Sequence, residues 1–326
     1  MLELTDLAAR VDAAYDRIAQ YVRRTPLAPF GALSERLDCV VRLKSEHLQV
    51  TGSFKARGAL AKLTALDDDV RDAGVITASS GNHGLGVANA LSALGGRGTV
   101  CVPEGASPVK VAGIRRLGVD VRTLGAEAGE TERLAMEAAE ADGLTYVSPY
   151  DDLDVIAGQG TIGVEIAEQW PEVDTVVVSV GGGGLISGVA TALKHRRPDL
   201  RVIGVSPLND AAMAASVAEG RIVAPPAEPT LSDGTAGSVT PGAVTFPLCQ
   251  RLVDEWVLVS EDEISDALRF VIDEHHQLIE GAAAAAVAGA IRLGDSLSGA
   301  RVAIVSCGAN IGADTLARAL RPVSPA

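Results

Sequence analysis

Lys55 stands in Ser53-Phe54-Lys55-Ala56-Arg57-Gly58, one step past an apolar ring and directly behind Thr51-Gly52-Ser53, a turn able to cap a helix start. A free lysine amine, with a pKa of about 10.4, is almost always charged, so one that forms a Schiff base must be partly desolvated. A surface lysine needs no such setting. Lys55 is therefore the first residue to which covalent chemistry is assigned.

Three glycine- or serine-rich turns supply possible partners. The apolar run Asp174 to Val180 enters Gly181-Gly182-Gly183-Gly184-Leu185-Ile186-Ser187-Gly188, after which Val189 to His195 reads as helix. Strand, glycine turn and helix N-terminus form an anion site, because free backbone N–H groups and the helix dipole point into the turn. A phosphate is the natural occupant. Two familiar phosphate patterns fail: a Walker loop needs Lys where Val189 stands, and a dinucleotide fingerprint needs Gly or Ala where Ser187 stands. The bland alternative is a tight turn that packs helix on strand.

The second loop, Ser79-Ser80-Gly81-Asn82-His83-Gly84, follows the apolar run Val75 to Ala78 and opens another helix. Its hydroxyls, amide and backbone donors suit a carboxylate, although an Asn/Ser cap accounts for the same residues and His83 alone reads as structural. The third, Val305-Ser306-Cys307-Gly308-Ala309-Asn310, is equally consistent with Cys307 as a small buried apolar residue.

The elements that must hold these loops read as α/β. An amphipathic helix from about Asp6 to Arg23 precedes short β-branched runs that alternate with helices, the pattern of a parallel sheet with crossovers. Strands are expected at Val40 to Leu43, Val75 to Ala78, Thr99 to Val102, Asp120 to Thr123, Thr145 to Val147, Thr175 to Ser179, Val202 to Val205, Glu255 to Val259 and Arg301 to Ser306. Ser107-Pro108 and Ser260-Glu261-Asp262-Glu263 are helix starts, and Val223 to Pro241 is a long loop of the kind that borders a site.

At 326 residues the chain exceeds one compact unit, so two lobes are expected. A net charge of −14 without a basic block argues against nucleic acid or an anionic membrane surface as partner. Cys39, Cys101, Cys249 and Cys307 form no ligand cluster or disulfide framework. The acidic start Met1 to Asp6 does not read as a secretory signal, and the apolar stretch Gly281 to Ile291 is too short to span a bilayer. A cytoplasmic protein acting on small soluble molecules is expected.

Taken together and in this order, Ser53 to Gly58, Ser79 to Gly84, Gly181 to Gly184 and Ser306 to Asn310 resemble the fold-type II pyridoxal-phosphate enzymes, within them the threonine/serine dehydratase and serine racemase branch. The resemblance spans nearly the whole chain. It implies two lobes with mainly parallel, helix-flanked sheets: residues 1–70 and 149–326 as the cofactor-binding domain, and 71–148 as a small mobile domain on the substrate side. Pyridoxal 5'-phosphate would be held by Lys55 in Schiff-base linkage, with its phosphate on the amides of Gly181, Gly182, Gly183 and Gly184. Phe54 would lie beside the ring, Asn82 would contact the ring hydroxyl, and Cys307, or Ser306 one step away, would face the ring nitrogen. Ser79, Asn82 and His83 would bind the substrate carboxylate. Ser80 matches the serine that racemases place on the opposite face of the substrate. A homodimer is implied as well.

A thiol or hydroxyl at the ring nitrogen cannot stabilise it as a cation, so loss of a β-hydroxyl is favoured over transamination. The expected reaction is α,β-elimination from an L-3-hydroxy amino acid such as threonine or serine, with Lys55 as base on Cα and the cofactor phosphate as one source of the proton for the departing hydroxyl, giving a 2-keto acid and ammonia.

The chain departs from the family pattern at several points. Ser206 stands where a cation-binding glutamate is expected, with Asp210 the remaining carboxylate nearby, so no tight divalent site is expected. Leu231-Ser232-Asp233-Gly234-Thr235-Ala236-Gly237 replaces a shorter Asp-Gly loop, which suggests a bulkier or polar 3-hydroxy amino acid and resembles a subgroup associated with hydroxyectoine breakdown. Glu280 matches a family acid near the cofactor, with an exposed glutamate as the alternative. Serine racemase is the nearest rival. A β-replacement synthase would carry Thr-Ser-Gly-Asn-Thr at positions 79–83, a non-catalytic binding protein would gain little from Lys55, and a nicotinamide dehydrogenase lacks its fingerprint.

Overall fold

The computed structural model describes residues 3–321. Met1 and Leu2, which open the segment read for a leader, and residues 322–326 lie outside it. Ten strands form two sheets: β1 (Leu27–Pro29), β2 (Val40–Ser45), β3 (Val75–Ala78), β4 (Gly98–Val102), β5 (Asp120–Thr123), β6 (Thr145–Tyr146), β7 (Thr175–Ser179), β8 (Arg201–Pro207), β9 (Glu255–Val259) and β10 (Arg301–Ser306). The six-stranded sheet runs β1-β2-β10-β7-β8-β9 and the four-stranded sheet β5-β4-β3-β6. All neighbours are parallel except β1 and β2. The mixed α/β class is as expected, with helices covering both sheets. Among the described residues no helix is long and apolar enough to cross a membrane.

The expected strands are present, and β1 is additional. It was not legible because Leu27-Ala28-Pro29 lacks β-branched residues and lies between prolines 26 and 29, a composition tolerated only at an edge. The first helix spans Leu4–Ile18 and stops short of Arg23. There Gln49 captures the Arg23 backbone, accepting from its N–H at 2.8 Å and donating to its carbonyl at 2.9 Å, so tertiary bonds end the helix. The helix after the glycine run begins at Gly184 rather than Val189. Its glycines let it lie against the helix Leu153–Gln169, which periodicity cannot reveal.

Two expected caps differ. Phe54, not a residue of Thr51-Gly52-Ser53, occupies the cap of the helix Lys55–Ala65, and the buried Ser53 hydroxyl has no hydrogen-bond partner. The turn is held instead by a bridge between Ser53 and Gly308, and by the Phe54 N–H donating to the Cys307 carbonyl at 3.0 Å. Ser107 makes no side-chain cap, although Pro108 does open its helix, whereas Ser260 and Glu263 form the full capping box.

Parallel strands bring their carboxyl ends to one edge, and there the site loops collect. β3 delivers Ser79, β7 delivers Gly181 and β10 delivers Cys307. The lysine helix is fixed from beneath by Arg57, which is fully buried. Arg57 donates from Nε and Nη2 to both Glu46 oxygens at 2.8 Å, and from Nη1 to Glu165 at 2.7 Å and Thr161 at 3.1 Å. A further Nη2 bond reaches the Arg23 carbonyl. Lys44 completes the cluster, donating to Glu165 at 2.5 Å and to the Thr25 carbonyl at 2.7 Å.

Burial opposes the charge on Arg57, but Glu46 and Glu165 outweigh it and raise its pKa; for Glu46, burial is likewise outweighed by Arg57, which holds the carboxyl low. The stabilisation from Glu46 is therefore present at neutral pH and is lost as acid protonates it. Removing one member strands buried charge, so Arg57→Met is expected to destabilise the protein by about 3–5 kcal/mol, measured by denaturant unfolding against wild type.

Candidate active site

The carboxyl ends of the two sheets face one another across a cavity of about 450 Å³. Lys55, at the first turn of its helix, enters from the large sheet. Its side chain is half-buried, because the amine meets the cavity while protein surrounds the stem. Nζ donates to the Pro149 carbonyl at 2.7 Å and lies 5.1 Å from the Phe54 ring centroid. Burial pulls the amine down from its ordinary value to about 8, against smaller opposing effects of Cys307, Glu280 and Glu132. A substantial uncharged fraction exists near neutral pH, which is what a nucleophilic amine requires.

Gly181 to Gly184 line the same cavity. Gly183 has φ +87°, a left-handed conformation that side chains resist, and a Cβ there would lie 2.8 Å from the Cys249 sulfur. The helix starts immediately afterwards, leaving first-turn N–H groups without intrahelical acceptors. The turn therefore packs tightly and presents an anion cradle at once.

Alternation at the end of β10 separates the two candidates for the third position. The Ser306 hydroxyl lies 2.8 Å from His47 Nδ1 in the interior and does not line the cavity, whereas Cys307 does. Of the two, Cys307 alone is placed to meet a group bound in the cavity. Ser179 donates to the Cys307 sulfur at 3.6 Å, and Cys307 in turn lies 3.9 Å from a Glu280 oxygen. Burial, then the nearby Glu280 charge, pushes the thiol pKa well above its ordinary value, so Cys307 is a neutral thiol.

Glu280 is 2% exposed, which rules out the reading of an exposed glutamate. It accepts from Asn82 Nδ2 at 2.8 Å and from the Asn310 N–H at 3.0 Å. Gly308 makes room for it, since a Cβ there would stand 2.4 Å from Glu280 Oε1. Burial raises this carboxyl to about 7. Asn310 Nδ2 donates to Asn82 Oδ1 at 2.7 Å, so the Asn82 amide is held from both ends.

Ser79, Ser80, Asn82 and His83 line the opposite side. The Ser79 hydroxyl accepts from the Gly81 N–H at 3.1 Å, which shapes the loop. His83 reaches the cavity with its ring bonded elsewhere. Its imidazole Nε2 lies 3.0 Å from the Val147 carbonyl, and burial holds its pKa at about 3, so the ring is neutral and cannot be a cationic carboxylate partner. What His83 can offer is its N–H in the first turn of the helix Asn82–Leu94.

The cavity also receives Lys110, Thr131, Glu132, Tyr150 and Asp233. In sequence Asp233 stands out only as part of its loop, and the others carry no motif: they sit singly in polar helical stretches or after β6. Lys110 and Asp233 form an ion pair at 3.2 Å between the small-sheet side and the 223–241 loop. At the expected cation position, the Ser206 hydroxyl donates to the Val180 carbonyl at 2.9 Å and Asp210 accepts from the Gly237 N–H at 2.7 Å, so both are committed to the fold.

An amine, an anion cradle and a neutral thiol on one cavity match one family, and comparison with known proteins agrees. Residues 18–308 match the family described as pyridoxal-phosphate dependent enzyme. The chain belongs to that family. It is 42% identical over 308 residues to an L-threonine ammonia-lyase of Thermotoga maritima, covering 94% of this chain and 76% of the relative. Among solved structures it resembles processed threonine deaminase isoform 2 of Solanum lycopersicum with TM-score 0.91 and 37% identity, over 97% and 92% of the two chains. It also resembles maize serine racemase with TM-score 0.89 and 31% identity, over 96% of each.

The residues present fit pyridoxal phosphate: Lys55 can carry the aldehyde carbon, Gly181 to Gly184 the phosphate, and Cys307 the ring nitrogen. Because the free Lys55 amine loses its proton near pH 8 rather than above 10, cofactor loading of the apoprotein is expected to accelerate as pH rises through about 8. Stopped-flow absorbance at a series of pH values measures this; acceleration only above pH 10 would contradict it.

Proposed function

We propose that this pyridoxal-phosphate enzyme is a dehydratase, an ammonia-lyase that converts an L-3-hydroxy amino acid of the threonine or serine type into a 2-keto acid and ammonia. The observation that carries this reading is the lowered amine of Lys55 in one cavity with the Gly181 cradle and the neutral Cys307 thiol. Relatives named for threonine ammonia-lyase activity at about this level of identity support it.

When bound, the cofactor supplies the electron sink that makes the Cα proton removable. Lys55 takes that proton. The amides of Gly181 to Gly184 would hold the phosphate, Phe54 would lie beside the ring, and Asn82, fixed by Glu280 and Asn310, would contact the ring hydroxyl. Cys307 would donate to the ring nitrogen without making it a cation, which would favour expulsion of the β-hydroxyl over a reaction that reprotonates elsewhere. Ser79, Asn82 and the His83 N–H receive the substrate carboxylate. Ser80, which lines the cavity, would act from the other face of the substrate, where its hydroxyl would serve racemisation, the second reading supported by likeness to maize serine racemase.

Residues 71–148 are proposed to move against 1–70 and 149–326. Their sheet is separate, and Lys110 to Asp233 is an exposed link that solvent exchange can break. Within the segment Leu231 to Gly237, residues 233 to 237 line the cavity, and this departure from the family loop favours a bulkier or polar side chain; a cytoplasmic homodimer is proposed by analogy with the family.

Lys55→Ala is expected to lower keto-acid release from L-threonine and L-serine by at least about 10²–10⁴-fold, through loss of the base. Ser80→Ala is expected to lose D-serine formation while keeping keto-acid release. Following both products from one L-serine incubation tests these assignments, and near wild-type release by Lys55→Ala would refute the first.

A further inference from the structure

Elimination needs an acid as well as a base, because hydroxide is a poor leaving group, and besides the phosphate of a bound cofactor the cavity offers side chains for that role. The carboxyl, amine and phenol groups around the cavity differ in how free they are to act. Lys55 is the base. Glu280 is occupied by Asn82 and the Asn310 N–H behind Cys307. Asp233 is 62% exposed and paired with Lys110. The Tyr150 hydroxyl is fixed between the Thr240 side chain at 2.6 Å and its N–H at 2.9 Å. Glu132 is different. It lies in the first turns of the helix Ala128–Asp142, on the small-sheet side of the cavity and across from the lysine wall. A single bond from the Tyr146 hydroxyl at 3.3 Å holds one of its oxygens.

We propose that Glu132 is the acid that protonates the departing β-hydroxyl, an inference that rests on the dehydratase reading. The Cα–H bond breaks and its proton passes to the Lys55 amine. The electron pair forms the Cα–Cβ double bond as the Cβ–O bond breaks. The oxygen takes the Glu132 proton and leaves as water, and the Glu132 carboxylate is reprotonated from solvent while Lys55 returns its proton. The step needs no further reagent. Burial raises the Glu132 pKa, with the Asp151 charge adding to it and Tyr146 and Lys55 opposing, which leaves a protonated fraction available above the ordinary carboxylate range. The base and the acid then stand on opposite lobes, so a closed cavity is required for both to reach one substrate.

The discriminating experiment varies the leaving group. With Glu132→Gln, turnover of L-threonine and L-serine is expected to fall by about 10²–10³-fold, while turnover of β-chloro-L-alanine, whose chloride departs without a proton, stays within about threefold of wild type. Calorimetric affinity for L-alanine, which has no β-hydroxyl, is expected to be unchanged. Retained β-chloro-L-alanine turnover also shows that the variant is folded and loaded. Glu132→Asp, which keeps the acid but retracts it, is expected to give a smaller loss confined to the hydroxy substrates, and serves where the Gln variant does not fold. Equal losses on all substrates, or no loss on the hydroxy amino acids, overturn the role of Glu132. A wild-type protein that releases keto acid from neither class overturns the dehydratase reading and this inference with it.

Discussion

Everything in the site depends on keeping one lysine amine partly out of water. A charged ammonium in a poorly solvated wall is costly, so Lys55 either loses its proton or finds compensation, and the fold gives it little. Among the described residues its one hydrogen-bond acceptor is the Pro149 carbonyl, a neutral group, and the Phe54 ring covers its flank. Such a position is stable only if the helix beneath cannot shift to hydrate the amine. Arg57, two residues on, is tied to Glu46, Glu165, Thr161 and the Arg23 carbonyl, so the helix start is anchored to several chain segments. The buried ion cluster thus serves placement, which is consistent with the modest net stability that such clusters usually provide.

The same economy of charge governs the stretch beside the lysine turn. Cys307 stays a thiol because it is buried and stands beside Glu280, whose own carboxyl burial raises to about 7. A group that can donate but not carry charge through the ring nitrogen leaves less stabilisation for a carbanion, so prompt loss of a β-substituent competes well. The Asn82 amide, pinned by Glu280 and Asn310, couples this neutral region to the carboxylate loop.

The parts legible in sequence were those whose chemistry is local. A run of four glycines, a serine-rich turn after a strand and a lysine behind an apolar ring each announce a backbone or side-chain requirement within a few residues, and strand-and-helix alternation announced the sheets. What sequence could not show depends on distant pairing. Lys44-Ser45-Glu46-His47 reads as an exposed polar stretch, yet all four are buried because their partners come from residues 25, 57, 165 and 306. Glu132 lies in a polar helix with no motif. Ser306 and Cys307 are adjacent, and only the pleat of β10 decides which meets the cavity. His83 sat in the right loop, but whether its ring or its N–H faced the site depended on Val147.

The central claim is that Lys55, and no other lysine, carries the cofactor. Borohydride reduction of the loaded protein, followed by peptide mass spectrometry, tests it directly. The account predicts a pyridoxyl-phosphate mass increment on the peptide containing Lys55 and none on those containing Lys44, Lys62, Lys110 or Lys194. A stoichiometric increment on any of those four, with Lys55 unmodified, would contradict it.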